Sequence, residues 1–227
     1  EGAIDTKAIG FTSKYLHLDT LPKDGTAMAV LPSPYTLLML SDVKKGYQNR
    51  KSAIVDFAQL LQEEAKNLVD KGIARIQFDE PALVVRHSLR YSTQEDLELV
   101  RIAMKYCGQI KGATTSLHTY FGNAGALIPF LAMLPVDCIG IDATETRLED
   151  IARHRLPDKE LALGLVDAIS ASIEKPDELV KKLGIVAESA RPKALWITPN
   201  TGTNYVGWTL GLEKIATLKK TIEEYKK

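Results

Sequence analysis

Two adjacent carboxylates, Asp79 and Glu80, follow the run R-I-Q-F at 75–78 and precede Pro81. Ile76 and Phe78 alternate with polar residues as in a half-buried strand, so the carboxylates stand where that strand leaves the core. Proline cannot donate a ladder hydrogen bond and restricts the residue before it, which ends regular pairing there. A carboxylate at that place suits an ammonium ion, or else it caps a loop or pairs an arginine. Other apolar runs end in the same way, at Ser33, His118, Asp142, Asp167 and Asn200. His118 suits a metal ligand, a general base or a satisfied core histidine. Asp142 and Asp167 either polarise one pocket together or cap the helices after them. Ser33 and Thr36 lie at a helix start whose free N–H groups suit a carboxylate. Trp196 and Trp208 flank the last loop, where an indole stacks on a flat ring or fills a core or an interface.

The elements that position these residues alternate. Apolar strands are expected at 27–31, 73–78, 113–117, 138–141, 161–166 and 194–197. Between them, Ile54, Phe57, Leu60, Leu61, Leu68 and Val69 recur at helical spacing and Gly72 closes the helix. Ser92 or Thr93 caps another helix ending near Gly108, 127–134 reads as a short helix despite Pro129, and Leu148–Ile151 starts a further one. Pro176 opens a helix to Leu183, and a last one covers Leu212–Tyr225. Strand–helix alternation of this kind implies an α/β fold with parallel strands and helices outside. A closed eightfold barrel takes about 250 residues, so a TIM-type (β/α)8 barrel one or two units short in this segment is expected: either the missing N-terminal units precede Glu1, or the barrel is incomplete and something else covers its open edge. A doubly wound open sheet is the alternative, without the glycine-rich phosphate loops that usually recommend it.

Residues 1–26, with a β-like patch at Ala8–Phe11 and a turn at Pro22–Gly25, read as a lead-in, and 27–227 as one barrel domain. Lys plus Arg and Asp plus Glu both number 29, which leaves no global field for nucleic acid or an anionic membrane. Cys107 and Cys138 lie far apart without metal-binding neighbours, as in a reducing compartment, and no apolar run nears the roughly 18 residues of a membrane span. A cytoplasmic, small-molecule protein is the expectation.

Taken in order, I-Q-F-D-E-P-A-L at 76–83, L-P-S-P-Y-T-L-L at 31–38, L-H-T-Y-F-G-N at 117–123, I-G-I-D-A-T at 139–144, L-G-L-V-D at 163–167 and L-W-I-T-P-N-T-G at 195–202 resemble the cobalamin-independent methionine synthases over roughly residues 27–205. That family has two related (β/α)8 barrels. The catalytic barrel holds a zinc that activates homocysteine for methyl transfer from a methyltetrahydrofolate, and the N-terminal barrel shares the D-E-P-A-L strand without the metal. The wording here is closer to the zinc-free N-terminal type.

The resemblance implies a barrel acting in or beside methyl transfer from a folate- or pterin-type donor to homocysteine in methionine biosynthesis. Alternatives are an active S-methyltransferase with an altered metal site or a corrinoid donor, and a non-catalytic partner of a separate catalytic barrel or of a second copy. The family's zinc positions read His118, Tyr120, Asp142 and Thr201 here, so both thiolates are replaced, and Ile169 stands where a histidine follows the family's aspartate. His118 and Asp142 alone supply two ligands and Glu145 would be a third, a set that favours a harder metal or none, so zinc is not expected. If the chain is active, His118, Asp142 and Glu145 are the catalytic candidates. Asp79, Glu80, Ser33, Thr36, Asp167, Trp196 and Asn200 are the substrate-binding candidates, with Asp79 at the position that meets the amino group of homocysteine in the catalytic barrel.

Overall fold

Each apolar run identified above becomes a strand, and within each of the two units described below the paired strands run parallel. The computed structural model describes residues 26–43, 46–89 and 92–226, with Ala3, Ile4, Lys14 and His17 before them. The patch at Ala8–Phe11 and the turn at Pro22–Gly25 lie outside the described residues. The chain divides into two units, one holding residues up to His118 with Leu134–Asp137, the other Thr119–Met133 with Cys138–Lys227.

The first unit carries β1 (Met28–Pro32), β2 (Arg75–Asp79) and nearly all of β3 (Thr114–Thr119), paired in chain order. Its helices are α1 (Pro34–Leu40), α2 (Arg50–Asp70), α3 (Pro81–Leu89) and α4 (Gln94–Cys107). Asn49 and Ser52 form a capping box that starts α2, and Gly72 takes the positive φ of +95° that ends its turn. The α2 face of Ile54, Ala58, Leu61, Ala65 and Leu68 is buried and packs on α4, whose Leu99, Val100, Ala103 and Met104 are buried in turn. Thr93 caps α4 through Asp96 N.

The second unit carries β4 (Cys138–Asp142), β5 (Glu160–Val166) and β6 (Ala194–Pro199), again parallel and in chain order. A 3-10 turn at Gly125–Leu127 runs into α5 (Ile128–Ala132), with Pro129 in the first turn where its missing N–H costs nothing. Then come α6 (Leu148–Ala152), α7 (Pro176–Ala190), a 3-10 turn at Thr203–Tyr205 and α8 (Trp208–Tyr225). The α/β class with helices between parallel strands is the one expected.

Pro81 starts α3, in which the run Ala82–Val85 buries Leu83 and Val84. Two details differ from the sequence reading. Helix α7 continues past Leu183 because Val186 and Ala190 extend its buried face. Helix α8 begins at Trp208, four residues before the expected Leu212. No helix among the described residues is long and apolar enough to cross a membrane.

Candidate functional site

In the first unit, β-ladder register sets Pro32, Asp79 and His118 side by side at the carboxyl ends of β1, β2 and β3. The backbone carries the pairing one step further: Ser33 N donates to Asp79 O and Glu80 N to His118 O, both at 2.8 Å. Alternation along the chain then separates the two carboxylates. Glu80 is fully buried, whereas Asp79 is half-buried.

The Ser33 hydroxyl donates to Glu80 Oε2, and Oε1 accepts from Thr36 Oγ1 at 2.7 Å and from Leu83 N at 3.3 Å. Ser33 is also the N-cap of α1. The carboxylate received by this helix start is therefore the protein's own Glu80, which ties β1, α1, β2 and α3 together. Burial pushes the Glu80 pKa up from 4.5 to about 7, and the hydrogen bonds from Ser33, Thr36 and Leu83 hold it from rising further. Asp79 takes a different part. Gln77 Nε2 donates to its Oδ1 at 2.8 Å, which fixes the carboxylate along the same strand face. His118, next to it in register, is buried.

In the second unit the strand exits are bracketed by Asn200. Its Nδ2 donates to Asp142 Oδ2 at 3.3 Å and to Thr144 Oγ1 at 3.2 Å, its Oδ1 accepts from Ala168 N at 2.9 Å, and its own N donates to Val166 O at 2.8 Å. Asp142 spends both oxygens within the unit: Oδ1 accepts from Thr144 N and Oγ1, Oδ2 from Phe121 N at 3.2 Å. That last bond secures Phe121 at φ 65°, a conformation uncommon outside glycine. Gly164 makes the bracket possible, since a Cβ there would come within 2.7 Å of Asn200 Cα. Asp167 closes the turn after β5, accepting from Ile169 N at 3.0 Å and Ser170 N at 3.3 Å. Asp142 and Asp167 thus each organise the loop that follows their own strand.

Lys214 is a residue the sequence reading did not single out. Fully buried on α8, its Nζ donates to Ser172 O at 2.6 Å and pairs with Glu174 at 3.3 Å. Glu174 Oε1 in turn accepts from Asp167 N at 2.8 Å, so a helix some forty residues away pins the loop that carries Asp167. A lysine beside Glu213 in a charged helix reads as an ordinary exposed charge and gives no signal of this.

The remaining candidates stand apart. Glu145 is exposed while Asp142 is fully buried. Trp196 is half-exposed on β6, beside Ala162 in the ladder, and its Nε1 donates to Glu160 Oε2 at 2.8 Å. Among the described residues no group of three or more His, Cys, Asp and Glu is gathered as a metal would require. Asp142 is committed to four donors, and the positions that the resemblance aligns with the thiolates carry Tyr120 and Thr201, a set whose chemistry does not suit zinc.

Parallel strands, helices between them and polar residues at the carboxyl ends define an α/β protein with polar residues gathered at its strand exits. Residues 14–188 match the model of the cobalamin-independent synthase N-terminal domain, and the chain belongs to that family. A methionine synthase of Saccharolobus islandicus is 30% identical over 191 residues, 83% of this chain and 55% of the relative. The chain therefore spans about half the length of the curated relatives it matches. Among solved structures, a B12-independent methionine synthase from Shewanella in complex with selenomethionine superposes with a TM-score of 0.71 at 20% identity, over 100% of this chain and 67% of that one. A vitamin-B12-independent methionine synthase described as putative, from Listeria monocytogenes, gives 0.70 at 16% identity, over 92% and 65%. These two likenesses carry the barrel-type fold.

Proposed function

We propose that this chain is an amino-acid-binding barrel of methionine biosynthesis, acting in or beside methyl transfer to homocysteine from a folate-type donor. Asp79 is the residue that meets the ligand's ammonium group. The observation that carries the reading is the contrast at 79–80: one carboxylate is buried and drawn toward its neutral form, the other is half-buried and held by Gln77 at the strand's carboxyl end. The second keeps partial exposure at the strand exit, where a carboxylate suits an ammonium ion. The Shewanella relative, bound to selenomethionine, supports an amino acid as the ligand class.

Asp142, Asn200 and Asp167 then serve by holding the loops of the second unit, and His118 flanks Asp79 without acting as a zinc ligand. Calorimetric titration with L-homocysteine and L-methionine tests the assignment. Asp79→Asn should weaken binding by about 10- to 100-fold through loss of a charge-assisted hydrogen bond. Unaltered affinity in that variant, or no binding of either amino acid by the unmodified chain, refutes it. The match to the N-terminal synthase domain supports a second reading, in which it serves as the partner of a separate catalytic barrel. That reading requires methyl transfer to appear only when both polypeptides are mixed.

A further inference from the structure

Gln77 and Asp79 lie two residues apart on β2, so their side chains leave the same face of the strand. The ladder places Gln77 between Val30 and Ser116, and Asp79 one row further on between Pro32 and His118. A carboxylate only accepts, so the Gln77 atom 2.8 Å from Asp79 Oδ1 is the amide nitrogen, and the orientation of the amide is fixed. That nitrogen carries two N–H groups. One is spent on Asp79, and the other meets no acceptor among the described residues. The start of α1, which would otherwise receive a carboxylate, is taken by Glu80 through Ser33 and Thr36. A ligand's carboxylate therefore needs another donor, and Gln77 is the one beside Asp79.

We propose that Asp79 and Gln77 act as a pair that recognises the zwitterion of an α-amino acid, Asp79 taking the ammonium and the second N–H of Gln77 taking the carboxylate. The proposal rests on the reading that Asp79 meets the ligand's ammonium group. An acceptor and a donor 2.8 Å apart match two ligand groups joined through one carbon, whose nitrogen and nearer oxygen lie about 3 Å apart. In a β-amino acid the extra carbon spoils that match, and a simple amine gives Gln77 nothing to hold. The charges agree as well, since both contacts become charge-assisted hydrogen bonds. A neutral backbone N–H and C=O, such as further polypeptide packed on this strand exit would offer, has the same polarity without the charges and forms the weaker pair of bonds.

Calorimetric titration of the 227-residue chain with L-methionine, its decarboxylated analogue methylthiopropylamine and N-acetyl-L-methionine amide tests this. The amine lacks the carboxylate and the amide lacks both charges, so methionine should bind at least about tenfold more tightly than either. Gln77→Met keeps the length of the side chain without the donor. It should weaken methionine about 10- to 100-fold while changing the amine less than about threefold. Gln77→Glu sets a second negative charge beside Asp79, so it should lose methionine at least as strongly and bind the amine as well as the unmodified chain or better, which reverses the preference. Retained amine binding shows that each variant is folded. Equal affinity of the unmodified chain for methionine and the amine, or an equal loss of both ligands in the two variants, overturns the pairing and leaves Asp79 with the ammonium. Tightest binding of the acetylated amide, or no binding of methionine and the amine, refutes the reading of Asp79 and this proposal together.

Discussion

Glu80→Gln separates the burial of this carboxylate from the rest of the molecule's response to pH. Its native pKa of about 7 lies above the ordinary 4.5 because desolvation of a fully buried carboxylate outweighs three hydroxyl and amide donors. Below the unfolded value both states carry the proton, and the stability this group contributes is fully present. Between 4.5 and 7 the unfolded chain ionises while the native one keeps its proton, so stability falls as pH rises. Above the native value the loss is complete, and a shift of that size corresponds to about 3 kcal/mol. Glutamine has the shape of the neutral acid and does not titrate, so the variant lacks this slope. Urea unfolding of both proteins at half-unit steps from pH 4 to 8.5, roughly spanning both pKa values, gives the difference curve. The variant should be within about 1 kcal/mol of the unmodified chain at the acid end and more stable by about 2–3 kcal/mol at the alkaline end. A difference that stays flat, or that grows in favour of Glu80 as pH rises, refutes the account of a buried, proton-retaining carboxylate.

Two further outcomes follow from the second unit. Asn200→Ala removes the amide that joins Asp142, Thr144 and Ala168 and should cost about 2–4 kcal/mol in chemical unfolding, with a loss under about 1 kcal/mol counting against the bracket. Lys214→Met leaves Glu174 without its buried cation and should cost about 3 kcal/mol, with faster hydrogen exchange at the amides of 167–174; unchanged exchange there would show that the lysine does not hold the loop.

The parts legible in the sequence are those governed by local periodicity. Apolar runs ending at Asp79, Asp142 and Asn200 located β2, β4 and β6, because a strand that enters a core and leaves it marks both events in its own residues. Thr93 was readable as a cap, since its partner Asp96 lies three residues on. What Asn200 does was not readable, because it depends on Asp142, 58 residues away, and on the absence of a side chain at Gly164. The run Ala82–Val85 is too short for period to separate helix from strand, and the proline before it, read as a strand terminator, is equally a helix starter.

The case of α8 shows why periodicity finds an element before it finds its orientation. Leu212, Ile215 and Ile222 mark a helix correctly, and the usual rule turns their face inward. The inward face is instead built from Gly211, Lys214, Thr217 and Thr221, because what this helix must reach is Ser172 and Glu174, polar groups of the loop after β5. A buried lysine needs a paired carboxylate and accepting carbonyls, and supplying them dictates the rotation of the helix. Its apolar residues are left on the outside as a consequence. The same logic divides Asp79 from Glu80: two adjacent residues of one charge receive opposite environments, and the one drawn inward to Ser33 and Thr36 is thereby withdrawn from ligand chemistry. Position relative to the core decides which of two like groups is buried among hydroxyl donors and which stays partly exposed at the strand exit.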